Sequence, residues 1–198
     1  AGRKMSVNHS YIEVKETSSD SFNNIDIALF SAGADISKLF SPAAAKSGAV
    51  VIDNSAAFRM DDTVPLVVPE INAEDIKNHK GIIANPNCST IQMVVALYPL
   101  HKVNPIKRIT VATYQAVSGT GAAAVEELST QTKLLLKGLS VTSQVYPHQI
   151  AFNLLPEIDT FMDNGYTREE WKMLQETRKI MHAPEILVSA TCVRVPVY

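Results

Sequence analysis

Short aliphatic and β-branched runs alternate with helix-like stretches through the first half of the chain, and this alternation restricts the fold more than any other feature. Ile25 to Phe30 is followed by a helical pattern from Asp35 to Lys46, closed by Gly48, and then by Ala49 to Asp53. The alternation repeats with Leu66-Val67-Val68, a turn or short helix from Ala73 to Lys77, and Gly81 to Ala84. Strands buried on both faces read as continuous apolar runs, and parallel neighbours need crossover connections between them. The expected class is α/β, with a partial Rossmann-like parallel sheet made of βαβ units.

After residue 88 the style of strand changes. Lys107 to Val117 alternates apolar and polar residues, which predicts a long strand with one covered face in a sheet of antiparallel or mixed type. Ala122 to Lys137 reads as a helix stopped by Gly138, and Thr167-Arg168-Glu169-Glu170 opens another with a Thr cap and an acidic first turn. Leu187 to Val195 alternates as a last strand that carries Cys192. The change of pattern predicts a junction near Cys88.

Composition narrows the classes of partner. At 198 residues and 46% hydrophobic content the chain can build a real core. A formal charge of −2, with acids and bases dispersed, leaves neither a basic stripe for nucleic acid nor a polybasic membrane patch. No apolar run approaches the roughly 20 residues that span a bilayer. The two cysteines have no C-x-x-C spacing, so a reducing compartment, the cytoplasm, is expected. The five histidines are scattered without ligand spacing, and no metal site is inferred. The expected ligand is a small molecule.

Asn85-Pro86-Asn87-Cys88-Ser89-Thr90 places a cysteine where a short buried strand ends and a helical pattern begins. Unpaired main-chain N–H groups and the helix dipole favour thiolate over thiol at such a position, and thiolate is the attacking form. A buried, inert cysteine is the commoner role, and Cys192, inside an alternating strand, fits it. The polar neighbours of Cys88 suit a cleft at the carboxyl end of a parallel strand instead.

Several other groups stand out more weakly. Ser31-Ala32-Gly33 follows a strand and opens a helix, suiting either a phosphate or nicotinamide edge or a simple tight turn. Ser118-Gly119 lies in a small-residue loop that permits close approach to a ring or phosphate. No G-x-G-x-x-G occurs. Arg59 reads first as a solvated loop cation, whereas Arg194, inside an apolar strand, must find an anionic or carbonyl partner or face a cleft. Glu169 and Lys172 share a helix face, and a surface ion pair is the favoured reading.

Four ordered segments, Asn85 to Thr90, Tyr114-Gln115-Ala116-Val117-Ser118-Gly119, Ile150-Ala151-Phe152-Asn153 and Cys192-Val193-Arg194-Val195-Pro196-Val197, together resemble the bacterial aspartate-semialdehyde dehydrogenase family over nearly the whole chain. N-acetyl-glutamyl-phosphate reductases share the plan, but their cysteine segment carries glycine before the cysteine and an aromatic after it, so Asn87 and Ser89 favour the aspartate family.

The resemblance implies NADPH-dependent reductive dephosphorylation of L-aspartyl-4-phosphate to the semialdehyde, a step toward lysine, methionine, threonine and isoleucine. It implies that Cys88 is the nucleophile and Gln115 the amide that orients substrate. Arg194 would bind the substrate carboxylate, Glu169 its amino group, and Arg59 with Lys172 the phosphate, with Asn87 among the substrate contacts. Ser118 and Gly119, and Ser31 to Gly33, would touch the cofactor. Residues 1–88 would be the C-terminal part of a dinucleotide-binding domain, and 89–198 the N-terminal part of an α+β catalytic and dimerisation domain with a mixed sheet. The parent enzyme would be a homodimer or tetramer. The family's phosphate-binding glycine motif and general-base histidine have no counterpart among these residues, so the chain is expected to be an internal fragment, inactive alone. A catalytically dead module for binding or assembly is the alternative from another class.

Overall fold

The computed structural model describes residues 1–198, and the chain divides into two compact units, Ala1–Pro86 and Asn87–Tyr198. In the first unit, β1 (Lys4–Val7) and β2 (Ser10–Glu13) form an antiparallel hairpin closed by Asn8 and His9, both at positive φ (47° and 66°), as a two-residue turn of mirror type requires. Every residue of both strands is exposed.

The rest of that unit is a parallel sheet in the order β3 (Ile27–Phe30), β4 (Val50–Asp53), β5 (Ile82–Ala84). Between β3 and β4 runs α1 (Ala34–Lys46), and Ala28, Phe30, Ala44, Ala49 and Val51 make a core with Phe22, whose ring lies 5.6 Å from that of Phe30. The opposite sheet face carries Ile27, Leu29 and Ile52 exposed. Gly81, just before β5, must be glycine, because its backbone has φ +97° and a Cβ there would meet the Ala45 Cβ at 2.8 Å. Asp53, fully buried at the end of β4, accepts hydrogen bonds from Ser37 Oγ (2.7 Å), Ser55 N–H (3.0 Å) and Ser55 Oγ (2.8 Å).

Leu66 to Val68 is not a strand in its own right. Leu66 makes a single parallel bridge to Ala84, and Pro69 starts the short helix α2 (Pro69–Asn72) directly after it. The turn or short helix expected at Ala73 to Lys77 is a 3-10 turn over Ala73–Asn78.

In the second unit, α3 (Cys88–Val103) leads to β6 (Arg108–Ala116), α4 (Ala122–Leu135), α5 (Arg168–Ile180) and β7 (Leu187–Val195). Of the antiparallel or mixed sheet expected here, the antiparallel alternative is corrected: β6 and β7 pair in parallel over nine residues, from Arg108 opposite Leu187 to Ala116 opposite Val195. Alternation reports that one face is covered and says nothing of strand direction. The antiparallel component is one bridge, in which Arg194 and Leu155 exchange main-chain hydrogen bonds of 2.8 and 3.0 Å.

The inward face of β7 is Val188, Ala190, Cys192 and Arg194, and α5 packs against it with Met173. A second cluster, Val117, Ala124, Leu128, Ile150, Ala151 and Leu155, lies under α4. Gln131 is buried there, and its Oε1 accepts from the Ile150 and Ala151 N–H groups. β7 ends at Val195, before Pro196, and beyond it the Val197 carbonyl accepts from Val117 N–H at 2.9 Å.

Candidate active site

Asn87 is the N-cap of α3, in extended backbone, and its Oδ1 accepts from Ser89 N–H (2.9 Å) and Thr90 N–H (3.2 Å). This satisfies two of the unpaired donors that every helix start presents. Cys88 is then the first helical residue, and it is exposed. Cys192 is fully buried, with its Sγ 3.7 Å from Met173 Sδ. Burial pushes the Cys192 thiol up to about 11; Thr113 opposes that rise, while Glu169 and Glu170 add to it. The two cysteines thus separate as their local sequence predicts.

A groove of about 1160 Å³ opens along α3 and β6, and Cys88, Gln115, Ser118, Gly119 and Arg194 are among the residues that line it. Gln115 and Arg194 are register partners on adjacent parallel strands, so they project side by side. Arg194 is buried; its Nη1 donates to the Ala116 carbonyl at 2.7 Å, and its Nε is buried with no hydrogen-bond partner. Of the outcomes open to an arginine in an apolar strand, a carbonyl partner and a cleft-lining position both occur.

Glu169 corrects the reading of a surface pair. It is only 6% exposed, and its Oε1 accepts from Asn87 Nδ2 (2.9 Å) and Gln115 Nε2 (3.1 Å), while Lys172 Nζ stands 3.5 Å from Oε2. Lys172 lies closer to Asp159, at 2.9 Å. Burial raises the Asp159 carboxyl, but the Lys172 hydrogen bond, Thr160 N–H and the charges of Lys172 and Arg168 outweigh it and hold the group below its ordinary value. Asn87, Gln115, Glu169 and Lys172 are therefore one connected polar cluster in this unit.

In the first unit, Arg59 corrects the solvated-loop reading. It is 8% exposed, and its guanidinium donates to the carbonyls of Asn85 (Nε, 2.9 Å) and Asn54 (Nη2, 3.0 Å). Ser31, Ala32 and Gly33 form an exposed shelf between β3 and α1, with Gly33 at φ 94° as the N-cap of α1. Ser31 Oγ accepts from Asn54 Nδ2 at 3.2 Å, and Asn54 Oδ1 accepts from Asn85 Nδ2 at 2.7 Å. A shelf at the carboxyl end of a parallel strand, with a helix start behind it and no Cβ at Gly33, fits a nucleotide edge.

Two further acids, Glu170 and Glu176, are buried with partners that the sequence reading did not foresee. Glu170 completes a capping box with Thr167 through its Oε2 and accepts Cys192 N–H through Oε1 at 3.0 Å. Glu176 accepts the Asn87 main-chain N–H at 2.6 Å. The signal available for Glu176 was its spacing, seven residues after Glu169 on the same face of an amphipathic helix.

The family model for the dimerisation domain of semialdehyde dehydrogenases matches residues 97–198, and that for their NAD binding domain matches residues 1–79. The chain belongs to the semialdehyde dehydrogenase family. Within the family it is 63% identical over 182 residues to the aspartate-semialdehyde dehydrogenase of Aquifex aeolicus (strain VF5), covering 90% of this chain and 54% of that protein. It is 52% identical to that of Bacillus subtilis (strain 168), over 100% of this chain and 59% of the relative. Among solved structures, aspartate semialdehyde dehydrogenase II from Vibrio cholerae complexed with ASA superposes with a TM-score of 0.96 at 50% identity, covering 100% of this chain and 59% of that one. The chain thus spans a little over half the length of these semialdehyde dehydrogenases. No helix is long and apolar enough to cross a membrane.

Proposed function

We propose that these residues belong to an aspartate-semialdehyde dehydrogenase that reduces L-aspartyl-4-phosphate to the semialdehyde. The observation that carries this reading is the exposed Cys88 at the first position of α3, in a groove it shares with Gln115 and Arg194. The Cys88 thiolate attacks the acyl carbonyl; a C–S bond forms, the C–O bond to phosphate breaks, and inorganic phosphate leaves. A nicotinamide nucleotide, NADPH by the family resemblance, supplies hydride for reduction of the thioester when bound.

Each neighbouring group has a role in this chemistry. The Arg194 guanidinium, with its unpartnered Nε, receives the substrate carboxylate as a planar donor fork. Glu169 receives the amino group. The Gln115 amide, already steered by Glu169 and by Thr113 Oγ1 at 3.2 Å, orients the acyl group. Asn87 holds Glu169 in place, and Lys172 offers a cation to the departing phosphate. Arg59 keeps its proposed phosphate role, and Ser31 to Gly33 and Ser118-Gly119 their proposed cofactor contacts. The parent enzyme works in the cytoplasm as a homo-oligomer, in the biosynthesis of lysine, methionine, threonine and isoleucine.

Intact-mass measurement after incubation with an acyl phosphate tests the reading. The expected result is one acyl adduct on Cys88, absent from Cys88→Ala. A protein that takes up no acyl group, in a preparation whose Cys88 is free, would favour the binding-module alternative. Turnover of N-acetyl-glutamyl phosphate in preference to aspartyl phosphate would favour the sister family.

A further inference from the structure

We infer that Glu176 is a positioning residue for Cys88, acting through the main chain of Asn87; this inference rests on the reading of Cys88 as the nucleophile. A helix N-cap leaves its own N–H outside the helical hydrogen-bond ladder, and in a capping box the residue at the third helical position supplies the acceptor. α5 uses that device: Thr167 is its N-cap, and Glu170 Oε2 accepts the Thr167 N–H at 2.8 Å. α3 lacks it. Its third position is Thr90, whose side-chain hydroxyl is buried with no hydrogen-bond partner.

Glu176, from α5, supplies the missing acceptor. It is 1% exposed, and its Oε2 lies 2.6 Å from the Asn87 nitrogen. A carboxylate is costly to bury unless hydrogen-bonded, so its placement there is a specific one. Asn87 is consequently held at three points: the main-chain N–H by Glu176, Nδ2 by Glu169, and Oδ1 by the Ser89 and Thr90 N–H groups. Cys88 is the next residue along. The backbone that carries its Sγ is fixed by Asn87, and Glu176 provides the clamp that does not depend on the Asn87 side chain.

Two substitutions separate reach from charge. Glu176→Gln keeps an acceptor at the same distance and removes the charge, whereas Glu176→Asp keeps the charge and draws the acceptor back by one methylene. If Glu176 acts by reach, the Asp variant exchanges the Ser89 and Thr90 amide protons about tenfold faster, as expected where a cap is loosened. Its Cys88 would react with iodoacetamide about threefold or more slowly, because the thiol is no longer held at an ordered helix start. The Gln variant would remain within about twofold of the original protein in both measurements. Asp behaving like the original while Gln does not would overturn the inference in favour of a charge effect. Faster exchange spread evenly through α5 and β7 would also overturn it, in favour of a merely structural role. Failure of the nucleophile reading shows separately, as a Cys88→Ser enzyme that keeps its turnover.

Discussion

Arg194 Nη1 lies 3.2 Å from the position that a Cβ on Gly119 would occupy, so the guanidinium is packed against the bare main chain of the Ser118–Gly119 turn. That spacing is tighter than ordinary van der Waals contact, and Gly119 is not at positive φ, so an alanine there meets no backbone strain but requires the guanidinium to give by a few tenths of an ångström. Gly119→Ala should push the guanidinium outward and strain its 2.7 Å bond to the Ala116 carbonyl. Under the proposed function, the expected result in the complete enzyme is a rise in KM for the semialdehyde of about tenfold, equivalent to ~1.4 kcal/mol, with little change in thermal stability. Steady-state kinetics beside a melting curve checks both halves.

Asn87→Ala removes the α3 cap and one donor to the buried Glu169. A lost N-cap costs about 0.5–2 kcal/mol, and the loss here should lie in the upper part of that range because Glu169 also loses a partner. Asn87→Asp retains the capping oxygen but sets a second carboxylate against Glu169, so it should restore less stability than Asn87→Ser. Urea unfolding of the three variants gives the ranking.

Lys172→Met should raise the Asp159 carboxyl. The lysine is the largest influence holding it down against burial, while Thr160 N–H and Arg168 remain to hold it partly. Because the folded-state value lies below the unfolded one, this pair adds stability above the ordinary carboxylate range and loses it as pH falls through the depressed value. The pair is partly exposed, and the contribution is accordingly small. Carboxyl chemical shifts followed from neutral to acid pH test the direction.

Cys192 gives a pH dependence of opposite sense. Its thiol titrates near 11 in the folded protein against a reference of 9.0, so between these values the unfolded chain releases a proton that the folded chain retains. Stability due to this group is therefore complete below about pH 9 and declines toward pH 11, by on the order of 2 kcal/mol. Cys192→Ala, though less stable throughout because of the cavity it creates, should show a shallower decline across that window.

The local features were legible wherever chemistry and neighbours agree. The passage from a short apolar run to a helical pattern at Asn85 to Thr90 marked the start of α3, and the alternation around Cys192 foretold its burial. Glycines at 48, 81 and 138 marked ends of elements for reasons of backbone conformation or close approach. What the sequence hid depends on distant partners. Arg59 looked solvated because the Asn85 carbonyl that holds its Nε lies 26 residues away. Glu169 looked like a surface acid because the donors that make its burial tolerable come from Asn87 and Gln115. The direction of β7 relative to β6 was equally invisible, since a strand alternates in the same way beside a parallel or an antiparallel neighbour.

The two grips on Asn87 come from residues 82 and 89 positions further along the chain. Closing loops of that length is slow compared with forming a helical turn, so α3 can wind early but its first residue is locked only when α5 arrives. The reactive end of the molecule is thus finished late in folding, and a chain interrupted before α5 would carry a thiol without the scaffold that aims it.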